Sequence, residues 1–492
     1  MSKKRDIIKN TLKFSSSRYF SQFLGFFTAT FMRRFLGPYS MGVWSILRVV
    51  LDYARYTHLG VLNALPYKIP YFIGRGELDE SEVMKDITFS FLAVSSLLSG
   101  IAIAAFAILR KSSLSSDIFM GLLVVSALII VQRIYNLYVM LLRAHKNFGV
   151  LSKAIAFDAV INLLLVLIIV RRFNLNGLFF VVLLMPVLNT IYIHINAKYS
   201  FKFRFNKAKL GSYIKFGLPL FIQTFMVMIL ANIDRIFIAR MLGLRQLGYY
   251  SIAIMARSYN IGIANNFSIV LIPHFMEGFG KNQDIKKVAK YVTVPTLGMA
   301  YFMILMLGMV FIAAPPFVTY ILPRFTPGIM AMKIFLITTF FGAISPNSEN
   351  CIVALGKQVR LIPIALVALV VNIILNYVFI KTGYGINGVA VATAIAAFIS
   401  FIMILIYAMT QFETATGIIK FILKILIPLI YGAGILIGLD SIIYIYSPIV
   451  SAFIKMALFT AAFIPVIAYL NKKTGIVSDL MAVILKKNKE KI

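Results

Sequence analysis

The fold is decided by the stretch Asn232-Ile-Asp234-Arg235-Ile-Phe-Ile-Ala-Arg240-Met-Leu-Gly243-Leu-Arg-Gln-Leu247-Gly-Tyr-Tyr250-Ser-Ile252-Ala253. An apolar run carrying two charges meets a glycine-marked turn, and a second apolar run follows. Part of this stretch occurs twice. Arg34-Phe-Leu-Gly37-Pro-Tyr-Ser-Met-Gly42-Val-Trp-Ser-Ile46 aligns with Arg240 to Ile252 without a gap, at an offset of 206 residues, with six of thirteen positions identical. Ile8-Lys9 and Ile214-Lys215 share that offset. A second echo closes each half: Asn176-Gly177 follows Asn162, and Asn387-Gly388 follows Asn372, at an offset of about 211 residues. Two echoes in the same order predict a duplicated architecture.

Working outward, the bulk composition fixes the solvent. Of the 492 residues, 60% are apolar, and the mean hydropathy is +0.90. Water cannot solvate that much apolar surface, so the chain reads as an all-α, polytopic membrane protein. Long runs with few charges recur, each able to cross ~30 Å of hydrocarbon as a tilted helix. Continuous runs exclude an outer-membrane barrel, which needs short alternating strands. In such a chain, internal repeats mark transporters with a site between their halves.

Fourteen spans are expected: 14–33, 42–70, 87–109, 118–142, 150–170, 175–197, 214–241, 248–276, 291–314, 326–352, 360–381, 385–409, 418–439 and 448–470. No cleavable leader is expected, because the apolar part after Arg18 has no small-residue cleavage site. Placing both termini in the cytoplasm gives a roughly three-to-one excess of Lys and Arg on the inner side, as the positive-inside rule requires. The net charge of +32 is then an orientation signal, and no nucleic-acid partner is expected. The expected organisation is an N-terminal lobe over residues 1–200, a basic inter-lobe loop over 201–213 and a C-terminal lobe over 214–410. An added helix pair with a basic cytoplasmic tail occupies 411–492. The basic run Lys198 to Lys215 is expected to lie as an amphipathic segment on the inner membrane surface.

Ionisable side chains inside spans cost at least ~2.5–3.5 kcal/mol each on insertion scales, so each is a candidate for function. Arg18, Gln22 and Gly25 share one helical face, as do Arg48, Asp52 and Arg55. Arg133 lies beside Gln132 and Asn136; Asp158 and Asn162 share a face; Asp234 and Arg235 are adjacent. Tyr250, Arg257 and Asn260 share a face with Asn265 and Asn266 following, and Lys333, Ser345 and Glu349 lie on the tenth span. The polar faces concentrate on the first two spans of each half and sum to a cationic interior. Arg18, Arg48, Arg55, Arg133, Arg257 and Lys333 are the candidates for an anionic cargo, since a guanidinium meets phosphate with two parallel hydrogen bonds. Asp52, Asp158, Asp234 and Glu349 are candidates for ion coupling or for structural pairing. Asp52 can neutralise Arg48 or Arg55 one turn away, and Asp234 can hold Arg235 or Arg257. Arg33, Arg34, Arg240 and Arg245 flank turns and are expected to snorkel to the interface.

Catalytic signatures are missing. There is no P-loop, no glycine-rich dinucleotide turn and no HExxH, so the chain does not read as an enzyme. One cysteine, Cys351, excludes an internal disulfide. His58, His145, His194 and His274 lack metal-ligand spacing, so neither a metal nor a cofactor is expected.

The pattern Asp234…Leu242-Gly243…Leu247-Gly-Tyr-Tyr-Ser-Ile-Ala253, preceded by Tyr213-Ile-Lys-Phe-Gly-Leu-Pro219, resembles the polysaccharide-transporter branch of the multidrug/oligosaccharidyl-lipid/polysaccharide exporters, the Wzx-type oligosaccharide-lipid flippases. Arg34-Phe-Leu-Gly37…Gly42 and the Asn387-Gly388 pair before an alanine-rich span are similar to it as well. The resemblance implies two six-helix lobes around a central cavity, plus two extra helices. It implies that an undecaprenyl-diphosphate-linked oligosaccharide moves from the inner to the outer leaflet by alternating access, for O-antigen, capsule or exopolysaccharide assembly. It implies a bacterial cytoplasmic (inner) membrane location, contact with membrane lipids and with other polysaccharide-assembly proteins, and coupling to a Na+ or H+ gradient. Cavity arginines of related flippases meet the diphosphate; Arg18, Arg48, Arg55 and Arg257 are placed to play that part by location and charge alone. The alternatives are a drug or metabolite antiporter of the same fold, and an integral-membrane polysaccharide polymerase or glycosyltransferase.

Overall fold

A computed structural model describes residues 2–281, 285–443 and 445–474, with side chains described over 14–218, 221–222, 224–262, 264, 292–353, 355–443, 445–469 and 471–472. Asn265 and Asn266, the second half of the eighth span and the basic tail from 475 fall outside the described side chains. The chain is 91% helical, with fourteen α-helices and no strand among the described residues. Nine stretches of described helix are long and apolar enough to cross a membrane unaided; the charge-bearing first helix is not among them.

Fourteen spans were expected, and each has a helical counterpart. The first two form one continuous element, α1 (Ser2–Ala54), broken at Gly37, whose φ of 72° lies in the left-handed region. Pro38 restarts the helix at no cost, because the first turn needs no N–H from it. The second span is not the single helix expected over 42–70. It ends at Ala54, passes through a 3-10 turn at Arg55–His58, reverses at Leu59 (φ 49°) and Gly60 (φ 86°), and resumes as α2 (Val61–Gly74). Then come α3 (Leu78–Leu109), α4 (Ser116–Ala144), α5 (Phe148–Leu165) and α6 (Arg171–Ala197), with a π-helical turn at Val166–Val170 joining the last two. The second half brings α7 (Lys207–Met241), α8 (Leu244–Lys281), α9 (Ile285–Ile321), α10 (Ile329–Ala354), α11 (Leu361–Lys381), α12 (Gly385–Met409), α13 (Ala415–Ile442) and α14 (Pro448–Thr474).

The chain divides into two compact units, Met1–Ser251 and Ile252–Ile492. The division falls within α8, because α7 packs on α1 and α2. In the first unit the two echo segments meet each other. A Cβ on Gly42 would lie 1.8 Å from the carbonyl oxygen of Leu244, and a Cβ on Gly248 would lie 1.8 Å from that of Pro38. Gly42 and Gly248 are offset mates, and so are Pro38 and Leu244. The contact is therefore reciprocal, as between the two copies of a symmetric pair. Bare glycines allow backbone against backbone, the usual way helices associate where lipid is as apolar as the side chains. A second close approach joins Gly60 to Gly217 on α7, where an added Cβ on Gly217 would meet the Gly60 carbonyl at 2.1 Å.

Two expectations are corrected here. The basic run Lys198 to Lys215 is not one amphipathic segment: 198–206 is an extended strap tied to α3, and from Lys207 the chain is already α7. The Lys202 N–H donates to Asp86 Oδ1 (3.2 Å), the Arg204 N–H donates to Ser90 Oγ (2.8 Å), and Lys209 pairs with Glu80. Phe201 stacks on Phe89, and burial pushes the Tyr199 hydroxyl up to about 12. Alternating aromatic and basic residues make one edge of the strap apolar enough to dock and the other solvated. Arg33 does not snorkel: it is 7% exposed and donates to the Ser251 carbonyl (3.0 Å) and hydroxyl (3.3 Å). Arg34, Arg240 and Arg245 are exposed, as expected.

In the second unit, aromatic and aliphatic side chains of α9, α10, α12 and α13 build the core around Phe340, Phe401 and Ile425. α14 packs on α9 and α13. Two asparagines of α11 are bonded internally: Asn372 donates to Thr393 Oγ1 (3.3 Å), and Asn376 donates to Asn372 Oδ1 (3.0 Å).

Candidate functional site

The site is built on the broken second span. Where α1 ends, Asp52 Oδ1 accepts from Arg55 Nη1 at 3.3 Å, with the two side chains 20% and 37% exposed. Arg48, one turn earlier on the same face, is exposed. Arg235, on α7, comes within electrostatic reach of Arg48, Asp52 and Asp234. Three guanidinium groups, Arg48, Arg55 and Arg235, thus gather around two carboxylates, Asp52 and Asp234, in the first unit. Pairing accounts for one of them. With Asp234 also in reach of Arg235, one positive charge is left in excess on helices expected to cross the membrane, an arrangement lipid alone does not tolerate.

Aromatic rings wall this group. Phe221 and Phe225 of α7 stack with centroids 5.5 Å apart, and Tyr53, Tyr56 and His58 pack edge-on against them. The Tyr56 hydroxyl donates to the Thr224 carbonyl (3.0 Å), pinning the 3-10 turn to α7. His58 Nδ1 accepts the Gly60 N–H (2.9 Å), which holds the reversed backbone in place.

Arg133 belongs to the scaffold beneath. It is 2% exposed and donates to the carbonyls of Ala54 and Arg55 and to Thr57 Oγ1. Breaking a helix leaves its last carbonyls without partners, and a buried unpaired carbonyl costs about 1–3 kcal/mol. Arg133 supplies those partners, and by doing so it permits the break that presents Arg55.

The other expected residues sort as follows. Arg18 is exposed on α1, its guanidinium 5.7 Å from the Phe14 ring centre and within electrostatic reach of Arg143 on α4. Asp158 on α5 accepts from Asn189 of α6. Asp234 is 3% exposed and accepts from the Tyr250 hydroxyl at 3.0 Å across the α7–α8 turn. The geometry of Asp234 fits the structural pairing considered for it, with a tyrosine as partner. In the second unit, Arg257 lies 5.8 Å from the Phe335 ring centre, and Glu349 is half-buried on α10. Lys333 turns to Asp440 of α13 (3.6 Å) and sits over the Phe311 ring (4.2 Å). Sequence reasoning noted Arg235 only as a partner for Asp234. Its place beside Arg48 depends on how α7 packs, which the helical period of α7 does not reveal.

Known proteins can now be set beside this geometry. The family described as polysaccharide biosynthesis protein matches residues 31–324. Comparison with curated protein sequences finds no match. Among solved structures, an inward-facing multidrug resistance MATE family transporter of the MOP superfamily superposes with a TM-score of 0.67 at 14% identity, covering 80% of this chain and 96% of its own. The lipid II flippase MurJ, in an inward closed conformation, superposes with a TM-score of 0.63 at 15% identity, covering 92% and 99%. A MOP superfamily transporter from Pyrococcus furiosus, described as having a binding pocket of reverse polarity, gives 0.56 at 15% identity over 82% and 97%. At these identities the likeness is one of fold. The family match spans the broken second span, the strap and both echo segments, and the chain belongs to the polysaccharide biosynthesis protein family, with the fold of the MOP superfamily transporters.

Proposed function

We propose that this protein is a flippase that carries an undecaprenyl-diphosphate-linked oligosaccharide from the cytoplasmic to the outer leaflet of the bacterial cytoplasmic membrane by alternating access, with both termini in the cytoplasm. The observation that carries the reading is the gathering of three guanidinium groups (Arg48, Arg55 and Arg235) around two carboxylates (Asp52 and Asp234) on helices expected to cross the membrane. A diphosphate supplies the missing negative charge, and planar guanidinium groups bind its oxygens in pairs. The aromatic wall of Tyr53, Tyr56, Phe221 and Phe225 offers faces on which sugar rings can lie. Arg18 and Arg257 are assigned supporting contacts with the anionic cargo. The surface polysaccharide it serves is of the O-antigen, capsule or exopolysaccharide class.

The chain does no chemistry of its own in this reading, so movement draws on an ion gradient, Na+ or H+. Asp158 is the candidate coupling group, since Asn189, the side chain that donates to it, is neutral. Asp234, held by Tyr250, is assigned to structure. A second reading, a drug or metabolite antiporter, is favoured by the fold likeness to a multidrug transporter. Cationic drugs, however, call for a cavity of the opposite sign.

The test is genetic and biochemical together. Arg18, Arg55 and Arg257 are each replaced by Ala, and surface polysaccharide is measured in cells that depend on this protein. Loss of polymer with normal membrane abundance is expected for Arg55→Ala first. Normal polymer in all three would remove the phosphate role.

A further inference from the structure

We propose that the second unit carries a binding site for one anionic phospholipid, separate from the cargo site. A crevice of about 410 Å³ opens among α9, α10, α13 and α14, a size within the ~300–1,000 Å³ of sites that take small apolar ligands. Its wall is apolar: Leu307, Phe311, Ile337, Phe340, Ala433 and Phe459 are among the lining side chains. It is open to the membrane, because Met330, Ile337 and Ile437 on its margin are 55%, 46% and 70% exposed. In a bilayer such a cleft is filled by hydrocarbon, and apart from Lys333 its wall offers no side-chain hydrogen bond to water.

The one charged group in the lining, Lys333, gives the crevice a head end. Asp440 lies between two ammonium groups, 3.6 Å from Lys333 Nζ and 2.7 Å from Lys455 Nζ. Two positive charges against one negative leave a net charge of +1 on this triad. The positions fix its depth. Lys333 lies four residues into α10 (Ile329–Ala354), Asp440 two residues from the end of α13 (Ala415–Ile442), and Lys455 seven residues into α14 (Pro448–Thr474). All three therefore lie near helix ends, at the level of lipid headgroups rather than acyl chains. A phosphodiester carries the single negative charge that neutralises the triad, and an acyl chain attached to it reaches directly into the crevice. The half-exposed Asp440, 49% accessible, disfavours a headgroup with a second negative charge and admits one with a single charge and hydroxyl donors.

The experiment uses the full-length protein reconstituted in vesicles of phosphatidylcholine containing phosphatidylglycerol, extracted in mild detergent, with the most tightly retained lipid identified by native mass spectrometry. Phosphatidylglycerol is expected to be retained several-fold over its share of the vesicle. The double variant Lys333→Gln/Lys455→Gln should lose that preference. Ala433→Phe, which fills the crevice without touching the charges, should lose the retained lipid of either kind. Asp440→Asn should act in the opposite sense and raise retention of phosphatidylglycerol, which separates the proposal from simple misfolding. Equal retention of the two lipids by the native protein, unchanged preference in the double variant, or lower retention in Asp440→Asn would each overturn it.

Discussion

Two regions of the molecule hold more cations than carboxylates, and they differ in how the charges are placed. Around Asp440 the ammonium groups belong to lysines near helix ends, on long stems that reach the interface. Around Asp52 the charges are guanidinium groups, two carried beside the break that follows α1 and one on α7. Lysines near helix ends need no further explanation. Arginines beside a helix break do, because their burial must be offset by a partner, water or a ligand. In the proposed function, charge excess marks the cargo site only where it coincides with a helix break.

The comparison is broken most severely by filling the glycine crossing that holds the first region. Gly42→Leu or Gly248→Leu would drive a side chain into a backbone carbonyl where even a Cβ lies 1.8 Å away. Overpacking of this kind costs about 1–3 kcal/mol when side chains can shift, and backbone cannot. No monodisperse protein is expected on gel filtration, whereas Gly434→Leu, a position with open space around it, should purify normally.

Charge reversal comes next. Arg55→Glu combined with Arg235→Glu should abolish export of polysaccharide, while the folded protein persists in the membrane. Arg133→Gln should act through stability instead: it strips partners from two buried carbonyls, a loss of about 3 kcal/mol. Thermal unfolding in detergent would show it as a lowered midpoint, and export would fall only in proportion to the folded protein. Asp52→Asn is a smaller change. It frees Arg55 from its ion pair and should tighten binding of an anionic cargo while slowing release, read as a modest drop in turnover. The smallest effect is expected for Lys333→Gln, which leaves export within experimental scatter. A large export defect there would erase the distinction between the two regions.

Much of this was legible in the sequence, for physical reasons. Spans were readable because hydrocarbon demands long apolar helices, and nothing else in the chain mimics that signal. The duplicated segments were readable, and their mutual contact through Gly42 and Gly248 gives the repeat a packing purpose. The intrahelical pair of Asp52 and Arg55 was readable from helical spacing alone. The break at residues 55–60 was not, since Leu59 in a left-handed conformation is chosen by tertiary packing rather than by its own preference. The role of Arg133 was hidden for the same reason: its acceptors are carbonyls on another helix that become available only because of the break. Arg33 misled: it looked interfacial and turned inward to Ser251. The pairing of Lys333 with Asp440 of α13 was not legible, because the two lie more than a hundred residues apart.

The central claim is that the guanidinium groups of Arg48, Arg55 and Arg235 neutralise a lipid diphosphate during crossing. The most direct measurement reconstitutes the purified protein with a fluorescent undecaprenyl-diphosphate oligosaccharide and records its appearance in the opposite leaflet. The account predicts transport by the native protein, at least tenfold slower transport by Arg55→Gln and Arg235→Gln with unchanged thermal stability, and inhibition by excess free diphosphate-linked lipid. Native-rate transport by both variants, with stability unchanged, would contradict it.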